Sequence, residues 1–114
     1  MAARAQLRYY RSSPRKVRLL ADMVRGKEVE PALTSLKLSP KGAARDVEKL
    51  VRSALANLEQ AQPGVDVDRV FISKITVDDG PRLRRGRPAS KWVRMHRILK
   101  RMCHITVELA VRES

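Results

Sequence analysis

Residues 69–111 read RVFISKITVDDGPRLRRGRPASKWVRMHRILKRMCHITVELAV, and the contrast between the ends of this stretch and its middle decides the fold. At the C-terminal end, CHITVELAV (103–111), Ile105, Val107, Leu109 and Val111 alternate with Thr106, Glu108 and Ala110. Such alternation puts the apolar set on one face of a strand and the other set on the opposite face. RVFISKITV (69–77) is also rich in β-branched and aromatic residues, which fit a pleated surface. The middle, PRLRRGRPASKWVRMHRILKR (81–101), has too few apolar residues to be a core element. Two strands joined through it predict a long antiparallel hairpin. Ten further residues per arm, at ~3.3 Å each, take such a finger roughly 30 Å out of the domain. A free two-stranded ribbon is marginal in water, so its tip is expected to be mobile until something surrounds it.

Upstream, the pattern turns helical. Residues 4–10 (RAQLRYY) read as a short strand. Ser12-Ser13-Pro14 then supplies a capping hydroxyl and a proline suited to the first helical turn. Val17, Leu20, Ala21 and Val24 recur at helical spacing, and Gly26 is placed to end the helix. Arg15 and Arg18 are i, i+3 neighbours, so a cationic stripe and an apolar stripe share this helix. A second, short helix is expected through EVEPALTSLKL (28–38), with Val29, Leu33 and Leu36 facing inward. Ser39-Pro40 repeats the cap-plus-proline signal, and a third helix is expected from Pro40 to about Glu59. There Ala43, Val47, Leu50, Ala54 and Leu58 form one stripe, widened by Val51 and Leu55. Arg45, Glu48, Lys49 and Arg52 lie opposite with mixed sign and read as a solvated face. Gln62-Pro63-Gly64 closes that helix. The order strand, three helices, strand, finger, strand is an α+β layout with helices packed on one side of a small antiparallel sheet.

The chain has 114 residues, and 25 Lys+Arg against 12 Asp+Glu give a net charge of +13. That length fits one domain with one core, with a body of about 1–80 and 102–114 and a hairpin of about 81–101. At 43% hydrophobic, the chain is too apolar for a wholly disordered polycation. Aromatics at 4% argue against recognition mainly by base stacking. No apolar run approaches the ~20 residues needed to span a bilayer, so no membrane partner is expected. The N-terminal MAARAQLRYYRSS lacks an apolar signal core, which points to the cytoplasm.

The charge is concentrated. Residues 1–25 carry a net +6 and residues 81–101 a net +9 with no acid, while 26–80 and 102–114 are each −1. Two separated, acid-poor concentrations read as contact surfaces for a polyanion. The finger is dominated by arginine, whose planar guanidinium binds phosphate bidentately and stacks on bases. Trp92 among these bases fits both nucleotide stacking and packing within the hairpin. An extended basic finger suits RNA that folds around it, whereas a duplex reader presents a helix to the major groove.

Catalytic chemistry is poorly supplied. A Cys103–His104 nucleophile is disfavoured because successive strand residues point to opposite faces. Asp78-Asp79 before Gly80-Pro81 reads as a turn rather than a metal site. The five glycines (26, 42, 64, 80, 86) are scattered, so there is no phosphate loop. One cysteine excludes an internal disulfide and a multi-cysteine zinc site. No enzyme activity, cofactor or metal is expected.

RYYRSSPRKVRLLADMVRGK (8–27), KLVRSALANLE (49–59), VFISKITVDDGP (70–81) and ILKRMCHITVEL (98–109) resemble, in order and spacing, the bacterial-type family of large-subunit ribosomal protein twenty-two. The resemblance implies three helices on a three-stranded antiparallel sheet with a long protruding β-hairpin. It implies binding to large-subunit rRNA during assembly, with the hairpin tip lining the nascent-peptide exit tunnel. The partners so implied are that rRNA, neighbouring ribosomal proteins and the nascent polypeptide, within a bacterial or organellar large subunit and without a homo-oligomer. Ser13, Pro14, Arg15, Lys16 and Arg18 match the first rRNA-contacting block, and Arg4, Arg8, Arg11 and Lys27 are taken with it. Arg82, Arg84, Arg85, Arg87, Lys91, Arg97, Lys100, Arg101 and His104 are taken as rRNA-binding on the hairpin side. Arg87, Pro88, Ala89, Ser90, Lys91, Trp92, Val93 and Arg94 form the expected tunnel-lining tip. The tip departs from the family: Val93-Arg94-Met95 stands where Gly-Arg-Ala is usual, and Ser90-Lys91-Trp92 holds one residue more. Met102-Cys103 replaces a common Thr-Ser. The alternative reading of the residues is a free DNA- or RNA-compacting or chaperone protein.

Overall fold

A computed structural model describes residues 2–81, 83–88 and 95–112 of the chain. Its element order is β1 (Ala2–Tyr10), α1 (Pro14–Val24), α2 (Val29–Leu38), α3 (Ala44–Ala61), a 3-10 turn (Val67–Arg69), β2 (Val70–Asp79), β3 (Leu83–Pro88), β4 (Met95–Lys100) and β5 (Cys103–Val111). The fold is α+β. Three strands form an antiparallel sheet in the order β1-β5-β2, and β3 and β4 form a separate antiparallel pair.

The alternation in residues 103–111 builds the centre of the sheet. Cys103, Ile105, Val107 and Leu109 are fully buried under the helices, while His104, Thr106, Glu108 and Ala110 take the other face. Burying side chains of this size contributes about 1.5–3 kcal/mol each. Ile72, Ile75 and Val77 of β2 join them, as do Val17, Leu20, Ala21 and Val24 of α1 and Val47, Leu50, Val51, Ala54 and Leu58 of α3. β1 adds Ala3, Ala5, Leu7 and Tyr10 at the margin of this core. One extra residue interrupts each ladder. The β2–β5 register slips between Ile72 and Lys74, and the β1–β5 register slips between Leu7 and Tyr10. Bulges of this kind bend a strand and raise its twist.

Several boundaries differ from those read in the sequence. Ser13 occupies the N-cap of α1, but its hydroxyl makes no cap bond; its backbone oxygen accepts from Lys16 and Val17 instead. Ser39-Pro40 ends α2 rather than starting α3. Proline disfavours a helical residue before it, and Ser39 sits extended at the C-cap, its Oγ accepting from the Lys41 N–H. Gly42 weakens any helix begun at Pro40, and α3 starts at Ala44 after a turn closed by Ala44 N–H to Lys41 O (3.1 Å). In α2 Val29 and Leu36 are buried as expected, but the third buried residue is Ala32, with Leu33 only half-buried. Asp78 and Asp79 are not a turn but the last residues of β2, opposite His104 and Cys103. No reversal is needed there, because the strand runs on toward β3. Gly80 keeps the arms close, its N–H donating to Met102 O at 2.9 Å, and a Cβ at that position meets Met102 atoms at 3.2 Å.

The β3–β4 pair extends the β2 and β5 arms as expected, with Leu83 opposite Lys100 and Pro88 opposite Met95. The molecule measures 67 × 25 × 16 Å along its principal axes, against about 30 Å for a strand of nine or ten residues. The core thus occupies only part of the long dimension.

Replacing a central-strand side chain tests this arrangement. Leu109→Ala is expected to lower stability by about 2–5 kcal/mol in urea unfolding. Leu38→Ala, at a side chain 78% exposed, is expected to leave the midpoint nearly unchanged.

Candidate nucleic-acid interface

The basic residues of the N-terminal third divide into two groups by what they touch. Arg18 reaches across to β2, donating to Val77 O at 3.1 Å and lying 3.8 Å from the Asp79 carboxylate. Arg25 donates to Ile75 O at 3.0 Å and pairs with Asp22. Between them and the chain turn at Gly26, the outer edge of β2 is covered. Gly26 N–H donates to Ile72 O (3.1 Å) and Ile72 N–H to Lys27 O (2.9 Å). Gly26, with φ +78°, supplies the left-handed turn that brings this backbone to the strand. An uncovered strand edge invites pairing with another chain, and here α1 and its C-terminal turn occupy it. Arg112 continues the covering, its guanidinium 4.6 Å from the Phe71 ring centre and 3.4 Å from Gly26 O.

Arg15 and Lys16 belong to the second group. Both are exposed on α1, and neither is engaged by an acid among the described residues. Arg11 is exposed ahead of the helix, Lys27 after it, and Arg101 at the base of the hairpin. Arg4 and Arg8 are exposed on the sheet face away from the helices, the face that also carries His104. Pro14 is buried as the first residue of α1, so its part is to place Arg15 and Lys16. Lys16 and Lys41 flank a cleft of about 420 Å³, lined also by Ser12, Leu19, Leu20, Gly42 and Ala43. Leu19 is 55% exposed there. The sequence offered no sign of this cleft, which exists because α3 starts four residues after Pro40.

The β3–β4 backbone places Arg84 opposite Leu99, Arg85 opposite Ile98, Gly86 opposite Arg97 and Arg87 opposite His96. Lys100 stands opposite Leu83 and Pro88 opposite Met95. Of the other expected hairpin contacts, Arg82, Ala89, Ser90, Lys91, Trp92, Val93 and Arg94 lie outside the described residues.

Where the sequence raised a nucleophile, the geometry separates the pair. Cys103 is buried in the core and burial pushes its thiol pKa up, while His104 lies on the opposite face and accepts the Tyr9 backbone N–H at Nδ1 (3.0 Å). Among the described residues no three His, Cys, Asp or Glu side chains gather as a metal site, and no helix is long and apolar enough to cross a membrane. Tyr10, whose partner the sequence did not reveal, donates its hydroxyl to Asp46 at 2.6 Å and ties β1 to α3. Burial, with help from that carboxylate, pushes its pKa up to about 12.

With this geometry in place, comparison with known proteins is decisive. Residues 5–110 match the family model described as ribosomal protein L22p/L17e. The chain belongs to that family. It is 56% identical over 110 residues to the large ribosomal subunit protein uL22 of Syntrophotalea carbinolica, covering 96% of this chain and 97% of that one. The uL22 of Geobacter sulfurreducens is 49% identical over 113 residues, covering 99% and 100% of the two chains. That of Solibacter usitatus is 40% identical over the full length of both. The L22p/L17e match begins inside β1 and ends inside β5, so it includes the sheet, the three helices and the hairpin tract.

Two measurements separate the groups of bases. Arg18→Ala uncovers the Val77 carbonyl and is expected to cost about 1 kcal/mol in urea unfolding. Arg15→Ala is expected to leave stability unchanged, weaken RNA binding and lower the slope of log affinity against log salt by about 0.7–0.9. The tyrosine link gives a pH test. Because the folded-state pKa of Tyr10 is raised from 10.0 to about 12, its stabilising contribution is complete below pH 10 and is lost as the pH rises toward 12. Tyr10→Phe should therefore show a shallower loss of stability than the parent between pH 10 and 12, read by urea midpoints.

Proposed function

We propose that this protein is a structural constituent of the bacterial-type large ribosomal subunit, without catalysis of its own. It binds large-subunit rRNA during assembly and lines the nascent-peptide exit tunnel with its extended hairpin. The observation that carries the proposal is the family match over residues 5–110, which spans the nine-base tract on a hairpin set beyond the core. The curated relatives are themselves named large ribosomal subunit proteins.

Counterion release provides the binding mechanism. Each Arg or Lys that approaches a phosphate displaces condensed cations, so RNA segments that repel one another can pack on a shared protein surface. The body offers the exposed Arg15 and Lys16 on α1, Arg11 ahead of that helix and Lys27 after it, with Arg4 and Arg8 on the open sheet face. The 81–101 tract, with a charge of +9 and no acid, is the larger source of attraction. In the proposed arrangement Arg84, Arg85, Arg87, Arg97, Lys100 and Arg101 follow the RNA, and residues 87–94 form the tunnel-facing tip. The whole chain then acts as one rRNA-binding domain, its body anchoring the finger.

Sedimentation of a cell extract holding a tagged copy tests the assignment. The protein should travel with the large subunit at moderate magnesium; recovery at the top of the gradient while subunits are intact would overturn it. Deletion of residues 84–97 should leave the body folded and incorporated. It should also abolish crosslinks from a stalled nascent chain to this protein. Loss of folding in that variant would show the hairpin to be part of the core.

A further inference from the structure

Tyr9 is strained and exposed where neither is required for packing. Its φ of +56° makes it the only non-glycine residue in the left-handed region among the described residues. For a bulky side chain this conformation is costly, and such strain concentrates at functional positions. The β1 bulge imposes it, since the register with β5 slips between Leu7 and Tyr10. The ring gains little burial in return, remaining 56% exposed on the open sheet face.

Two neighbours hold this geometry. The Tyr9 N–H donates to His104 Nδ1 at 3.0 Å, and the two rings meet edge to face with centroids 4.8 Å apart. With Nδ1 accepting, the proton of neutral His104 is on Nε2, which has no hydrogen-bond partner among the described residues. The Arg8 guanidinium lies 5.6 Å from the Tyr9 ring centre. An aromatic ring, an N–H donor and a guanidinium thus meet at one point.

We propose that Tyr9, His104 and Arg8 form a binding site for one unpaired RNA nucleotide, the base stacking on Tyr9 and the phosphate taking Arg8 and His104 Nε2–H. The inference rests on the rRNA-binding reading above and adds a stacking contact to it. Aromatic rings suit unstacked bases and are tolerant of base identity.

Glycine adopts positive φ freely, so Tyr9→Gly separates stacking from structure. The full-length protein is titrated with transcribed bacterial large-subunit rRNA at several salt concentrations. Tyr9→Gly should keep or raise the melting temperature and weaken binding about five- to 150-fold, the worth of one stacked base. The salt slope should stay unchanged, and Tyr9→Phe should bind within about threefold of the parent. Binding by Tyr9→Gly within twofold of the parent, or a lower melting temperature, overturns the proposal, since Tyr9 is then idle or structural. If Arg15→Ala weakens binding and Tyr9→Gly does not, this inference alone fails. If the parent binds duplex DNA as tightly as the rRNA, the rRNA reading fails with it.

Discussion

The molecule depends on β5 lying between β1 and β2. A strand from the end of the chain pairs with the first strand on one side and the middle strand on the other. Its four inward side chains are buried in the core, with α3 packed across β5 and β1 and α1 packed across β2. The sheet is therefore complete only when residues 103–111 have come back past the basic tract. Contacts this distant in sequence carry a loop-closure cost before they return any stabilisation. The finger is tied to this requirement, because whatever joins β2 to β5 must leave one end of the sheet and come back to it.

Arginine is used in two distinct ways around this frame. Arg18 and Arg25 hydrogen-bond to β2 carbonyls, Arg112 stacks on Phe71, and none of the three contributes its full donor set outward. Among the described residues the side chains of Arg15, Lys16 and Arg4 have no such ties, and Arg8 meets only the exposed Tyr9 ring. A count of positive charges therefore overstates what the surface offers a polyanion. The distinction matters most on α1, where neighbouring bases in one helix serve opposite purposes: Arg15 faces solvent while Arg18, one turn on, seals the sheet.

The strands and the core were largely legible from periodicity. Ile105, Val107 and Leu109 alternate strictly because one sheet face is dry and the other wet, and nothing in the fold overrides that pattern. Helix starts were less legible. Ser39-Pro40 carries the same local signal as Ser13-Pro14, and only the length of α2 and the cost of Gly42 decide that one ends a helix while the other begins one. Asp78-Asp79 has a turn's composition but lies within a strand that continues. At the candidate interface, the exposed bases Arg15 and Lys16 could be read from local charge. The tying of Arg18, the cleft beside Leu19 and the strained Tyr9 could not, because each depends on a partner far away in sequence.

The sealing of β2 by Arg18 and Arg25 is made through neutral carbonyl oxygens rather than through ion pairs alone. Mobile ions screen charge–charge attraction between exposed groups far more than they weaken a hydrogen bond to a backbone carbonyl. Counterion release from RNA, by contrast, falls steeply as salt rises. In the proposed complex the same residue type thus holds the protein together by a salt-tolerant bond and holds the RNA by a salt-sensitive one. On the proposed function, ionic strength is therefore a selective reagent for this molecule, able to strip it from RNA while leaving its architecture intact.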